Sequence, residues 1–120
     1  MSETTFYNKR GEPIAYTQDG EHIYLFNGKP VAYLYQNSVY TYSGKHLGVY
    51  ENGWIRDNNG QCVFFTSEAT GGPMKPMKQM KPMKNLKQLK PLKSLKQIKP
   101  ARAMNSSQWS ELSSGIFFDV

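Results

Sequence analysis

Four glycines, Gly11, Gly28, Gly44 and Gly60, stand 17, 16 and 16 residues apart, and each is the centre of the same local pattern. Five residues before them come Phe6, Ile23, Val39 and Ile55; four before come Tyr7, Tyr24, Tyr40 and Arg56. Three residues after them come Ile14, Val31, Leu47 and Val63, followed by Ala15, Ala32, Gly48 and Phe64, then Tyr16, Tyr33, Val49 and Phe65. A repeat of this length is too short to bury an apolar face by itself, so the copies must pack on one another.

Each copy reads as a β-hairpin. The flanks are rich in Tyr, Phe, Val and Ile, which suit a pleated, half-buried surface, and the centres carry turn residues such as Asn27-Gly28, Ser43-Gly44 and Asn59-Gly60. A second set of turn signals, Asp19-Gly20, Gln36-Asn37 and Asn52-Gly53, falls between the copies. Seven turns about eight residues apart delimit eight short strands in up-and-down order. The fold class predicted is all-β: four consecutive hairpins around a pseudo-fourfold axis, with the repeated Tyr, Ala and Pro positions explained by packing. No apolar stripe of helical period survives the glycines.

Beyond Gly72 the pattern changes to strict triplets: MKP, MKQ, MKP, MKN, LKQ, LKP, LKS, LKQ, IKP over residues 74 to 100. The first positions form an apolar edge of Met74, Met77, Met80, Met83, Leu86, Leu89, Leu92, Leu95 and Ile98. The second positions are all lysine: Lys75, Lys78, Lys81, Lys84, Lys87, Lys90, Lys93, Lys96 and Lys99. An α-helix would wind these stripes around its axis, and Pro82 and Pro91 would break it. A strand would put successive apolar residues on opposite faces. Polyproline II has threefold symmetry, needs no internal hydrogen bonds and accepts proline anywhere. As a straight rod the segment would extend roughly 84 Å, against a width near 30 Å for a globule of radius of gyration about 11 Å. It must project, pack on neighbours or fold back; prolines at 73, 82, 91 and 100 mark nine-residue legs of about 28 Å. The expected organisation is a hairpin domain at 1–72, a triplet segment at 73–100 and a C-terminal anchoring segment at 101–120, whose Trp109, Phe117 and Phe118 read as a clasp.

The run "GKPVAYLY", then "VYTYSGKHLGVYENGWIRDNNGQCVFFTSEATGGP", the period-three proline-containing segment and the terminal "FFDV" together resemble the family of small bacterial proteins called 4-fold beta flower proteins. The resemblance covers nearly the whole chain and implies the fourfold hairpin fold. It brings no catalytic residues with it. Many relatives have Gly-Asn-Pro triplets where this chain has Met/Leu-Lys-x, so the chemistry of that segment is this chain's own.

Charge is divided unevenly. Residues 1–72 hold five basic residues against seven acids, a net −2, while residues 73–120 hold ten against two, a net +8. One role this allows is sequence-independent binding of a polyanion, such as nucleic acid, an anionic membrane surface or a glycan, through the lysine edge. Residues 73–100 contain neither an aromatic ring for base stacking nor an arginine for guanine contacts, so base reading is not expected. If all nine lysines met phosphates, log affinity would fall against log salt with a slope near −8. The other role is structural: the apolar edge, with Trp109, Phe117 and Phe118, packs against the hairpin ring or another copy in a homo-oligomer.

An enzyme is the least favoured class. Cys62, His46 and Asp57 offer a nucleophile, a base and an orienter on paper, but Cys62 sits among Val63, Phe64 and Phe65 as a small strand residue, and Asp57 suits the turn before Gly60. His22 and His46 lack partners at metal-ligand spacing. No metal, cofactor or specific small-molecule ligand is predicted. The single cysteine excludes an internal disulfide, and the start MSETTFYNKRG lacks the features of a secretory signal, so the expected location is the cytoplasm.

Overall fold

The computed structural model describes residues 3–119 and forms a closed antiparallel barrel in which the strands follow one another in chain order. These are β1 (Thr4–Tyr7), β2 (Pro13–Thr17), β3 (His22–Leu25), β4 (Pro30–Tyr35), β5 (Ser38–Tyr40), β6 (His46–Glu51), β7 (Trp54–Asp57) and β8 (Cys62–Phe65). The four hairpins share one geometry. In each, the register slips at the same place, between Phe6 and Tyr7, Ile23 and Tyr24, Val39 and Tyr40, and Ile55 and Arg56. A bulge at every hairpin bends the strands and lets so short a sheet close. The two-residue links between hairpins have positive φ at both Gln36 and Asn37 and at both Asn52 and Gly53, the backbone such links require, while the longer link from Thr17 to His22 has it at Gly20.

Closure removes the sheet edges and makes an interior. Phe6, Ile23, Val39 and Ile55 are fully buried there with Ala15, Ala32, Val63 and Phe64. Closure itself is slight: β1 meets β8 through the single pair Tyr7 and Phe65. The C-terminal segment reinforces that seam. The Ser113 hydroxyl donates to the Val63 carbonyl at 2.7 Å and accepts the Lys9 N–H at 2.9 Å, stitching the first hairpin to the last. A short 3₁₀ helix (Gly115–Asp119) brings Phe117 and Phe118 into the interior, where both pack on Phe64. Trp109 bridges to Cys62 in parallel and packs edge-on against Trp54 and Phe65.

Residues 73–105 adopt neither helix nor strand, and they do not project. The molecule measures 36 × 35 × 26 Å, far shorter than the straight rod. Instead this strap visits the hairpins in order. The N–H groups of Gln79, Gln88, Gln97 and Ser106 donate to the carbonyls of Gly11, Gly28, Gly44 and Gly60 at 2.7–3.0 Å. One nine-residue leg thus serves one hairpin, and each leg opens on a proline: Pro73, Pro82, Pro91 and Pro100.

Candidate interaction surface

The repeated glycines are where strap and barrel meet. Gly28 has φ +95, and a Cβ there would stand 2.1 Å from the Leu86 carbonyl oxygen. Only glycine both reaches this backbone region cheaply and admits the strap so closely. Met77, Leu95 and Met104 make the same approach to Gly11, Gly44 and Gly60. Two contacts per leg, a carbonyl laid on the glycine and an N–H returned to it, fix the strap in a nine-residue register.

That register decides which edge faces inward. The barrel's outer wall is aromatic with an acidic rim, and the lysines meet it. Lys84 and Lys87 lie over Tyr16 and Tyr24, Lys93 over Tyr33, Lys96 over Tyr33 and Tyr35, and Lys78 over Tyr7, with ammonium-to-ring distances of 4.3–5.9 Å. Such contacts are worth roughly 0.5–1 kcal/mol each at exposed sites. Three cations nine residues apart pair with rim carboxylates: Lys84 with Glu3 at 3.0 Å, Lys93 with Glu21 at 2.7 Å and Arg102 with Glu51 at 2.7 Å. The Lys93 hydrogen bond holds the Glu21 carboxyl below its ordinary value, and the bonds from Arg102 and Asn105 do the same for Glu51. Lys75 reaches the Ala69 carbonyl, and Lys87 the Gln18 side chain. Among the described residues, Lys81, Lys90 and Lys99 have no hydrogen-bond, ion-pair or ring partner.

The apolar edge consequently faces away from the barrel, which corrects the expectation that it packs on the ring. Met74, Met77, Met80, Met83, Leu86, Leu89, Leu92, Leu95 and Ile98 are all 89–96% exposed. The physical reason lies in the wall. A long lysine lays its stem along a tyrosine and carries its charge onward to a carboxylate, whereas leucine in that place would leave the rim acids unpaired. Of the residues grouped with that edge, Phe117 and Phe118 are buried in the interior and Trp109 is partly buried at the closure seam.

The pattern also runs further than the triplets first indicate. Pro100 opens a fourth leg, "PARAMNSSQ", in which Arg102 takes the place of Lys84 and Lys93, Met104 that of Leu86 and Leu95, and Ser106 that of Gln88 and Gln97. The nine-residue proline phase carries that signal, while the altered residue types conceal it. Cys62, His46 and Asp57 are not brought together as nucleophile, base and orienter. Cys62 is buried with its sulfur 3.8 Å from the Ser106 carbonyl, and burial raises its thiol above the ordinary value. Both ring nitrogens of His46 are taken by Asn58 and Ser38, and Asp57 Oδ1 accepts the turn N–H groups of Asn59 and Gln61. His22 bonds to Asp19 at 2.7 Å.

The fold thus defines a class: a closed barrel of four bulged hairpins, belted by its own C-terminal strap. The family model for the 4-fold beta flower protein matches residues 4–118, and the chain belongs to that family. No curated protein and no solved structure matches it significantly. Among the described residues, no helix is long and apolar enough to cross a membrane.

Proposed function

We propose that this protein is a non-enzymatic assembly module whose strap packs, through its outward apolar edge, against further copies of the same chain. The observation that carries the reading is the nine-residue apolar edge at 89–96% exposure. A row of nine large apolar side chains left this exposed marks an interaction site, and burying each such side chain is worth roughly 1.5–3 kcal/mol. Alternation of inward lysine and outward leucine is what a polyproline II path produces, and we assign the strap that conformation. A second copy suits this edge because much of the strap's charge is directed inward, so two straps approach without the full repulsion of nine exposed ammonium groups.

Sedimentation over a range of concentrations tests the reading. The wild-type chain should associate, and Leu86→Ser with Leu89→Ser and Leu92→Ser should stay monomeric with an unchanged circular dichroism spectrum. Lys81→Gln with Lys90→Gln should associate as the wild type does. A wild-type chain that remains monomeric throughout contradicts the proposal. On the polyanion reading, with Lys81, Lys90 and Lys99 without partners among the described residues, the salt slope for a nucleic acid should be no steeper than about −3.

A further inference from the structure

The seams between hairpins are closed on the outside by facing aromatic pairs, with one exception. Tyr16 faces Tyr24, Tyr33 faces Tyr40, and Phe65 faces Tyr7 where the barrel closes. A third ring backs each pair: Phe26, Tyr42 and Trp109 respectively. Between β6 and β7 the facing pair is Val49 and Arg56, and Asn58 stands where the repeat elsewhere has Phe26 or Tyr42. The missing rings leave a cavity of about 250 Å³ between the barrel wall and the start of the fourth leg, lined by Val49 and Asn58 among others.

Its wall is polar and tightly ordered. Asn58 Nδ2 donates to the His46 carbonyl at 3.0 Å, so Asn58 Oδ1 is the acceptor for His46 Nδ1 at 2.9 Å. That places the ring proton on Nδ1 and leaves Nε2 to accept the Ser38 hydroxyl at 3.0 Å. Burial, with the Lys99 charge nearby, lowers His46 despite the Asn58 bond, which keeps the ring neutral. Ser38 is only 1% exposed, so its hydroxyl forms part of a wall rather than an accessible nucleophile.

Among the described residues, the strap makes one backbone bond fewer beside this cavity than in its second and third legs. In the second and third legs the N–H groups of Asn85 and Ser94 bond to the carbonyls of Phe26 and Tyr42. Among the described residues, Ala103, nine positions further on, makes no such bond to Asn58. Lys99 lines the cavity and pairs with no carboxylate among the described residues, whereas Arg102 is held by Glu51. We propose that this cavity binds a small carboxylate carrying a single negative charge, with Lys99 as its charge partner and Ser38, His46 and Asn58 as the fixed wall beside it. Glu51 and Asp57 also line the space, which disfavours a phosphate dianion. The volume lies below the roughly 300–1,000 Å³ of larger ligand sites, so the ligand is of simple metabolite size.

Titration of the full chain with sodium glycerate, followed by the amide and side-chain signals of Lys99 and Ala103, tests this independently of assembly. Saturable shifts are expected with glycerate, at least about tenfold weaker ones with inorganic phosphate, and none with glycerol. Lys99→Met should weaken glycerate binding about tenfold or more, while Lys90→Met, the same place in the preceding leg, should leave it unchanged. Asn58→Phe restores the ring of the sister seams and should abolish binding while the circular dichroism spectrum is retained; if that variant does not fold, the two lysine variants decide. No saturable shift with glycerate, equal binding of phosphate, or binding indifferent to Lys99→Met would overturn the proposal.

Discussion

In the barrel, Phe6, Ile23, Val39 and Ile55 recur once per hairpin and are wholly buried; in the strap, Leu86, Leu89, Leu92 and Leu95 recur once per triplet and are more than nine-tenths exposed. Both series recur regularly, every 16 or 17 residues in the barrel and every three in the strap, yet one points in and the other out. Phase establishes that a face has been kept uniform, and the surface it meets decides which way that face turns. The barrel strands meet other strands of the same kind, so apolar side chains close on one another. The strap meets a wall already finished in tyrosine and edged with glutamate, for which lysine is the better complement.

If the barrel depends on its interior and the strap on its register, substitutions should separate them. The largest effect belongs to the plug: Phe117→Ala empties a fully buried site and should lower stability by about 3–5 kcal/mol in denaturant unfolding, with the whole barrel responding. Next comes Gly28→Ala, which forces a side chain into a left-handed backbone at roughly 1–2 kcal/mol and displaces the Leu86 carbonyl and the Gln88 hydrogen bond. Its mark should be local, with loss of hydrogen-exchange protection at Gln88 well before the strand amides. A uniform loss of protection across the strands would mean that strap and barrel are one cooperative unit.

Acid should act on the strap more gently. Glu21 and Glu51 have folded-state values below the ordinary glutamate value, so the stability they contribute is complete above about pH 4.5 and is lost as the pH falls through those lowered values. Both carboxylates are half-exposed, which keeps the effect small. Protection factors at Gln97 and Ser106 should decline below about pH 4 while those of the barrel core hold. The smallest effect is expected from Leu89→Ser: an outward residue of the strap should change the stability of the monomer by no more than about 0.5 kcal/mol.

Much of the barrel was legible because its determinants are local. Gly11, Gly28, Gly44 and Gly60 each announce a turn, and the positive φ at Gln36, Asn37 and Asn52 falls where turn pairs stand in the sequence. The strap was legible in period and in leg length, since Pro73, Pro82, Pro91 and Pro100 keep the nine-residue step that one hairpin requires. Its facing was not, because nothing within "PMKNLKQLK" records that Tyr16, Tyr24 and Glu3 await the lysines. The cavity beside His46 escaped notice for a related reason. Val49 and Arg56 depart from a repeat whose other copies put rings there, Asn58 stands where Phe26 and Tyr42 stand in two of them, and the departure acquires meaning only once those positions are known to share a seam.

The central claim, lysines inward and the apolar edge outward, is tested most directly by side-chain footprinting of the full chain at a dilution where it is monomeric. Met74, Met77, Met80 and Met83 should oxidise as fast as in an unstructured peptide of residues 73–100, while Lys84, Lys87, Lys93 and Lys96 should acetylate more slowly than Lys81 and Lys90. Protected methionines beside uniformly reactive lysines would show the strap reversed and contradict the account.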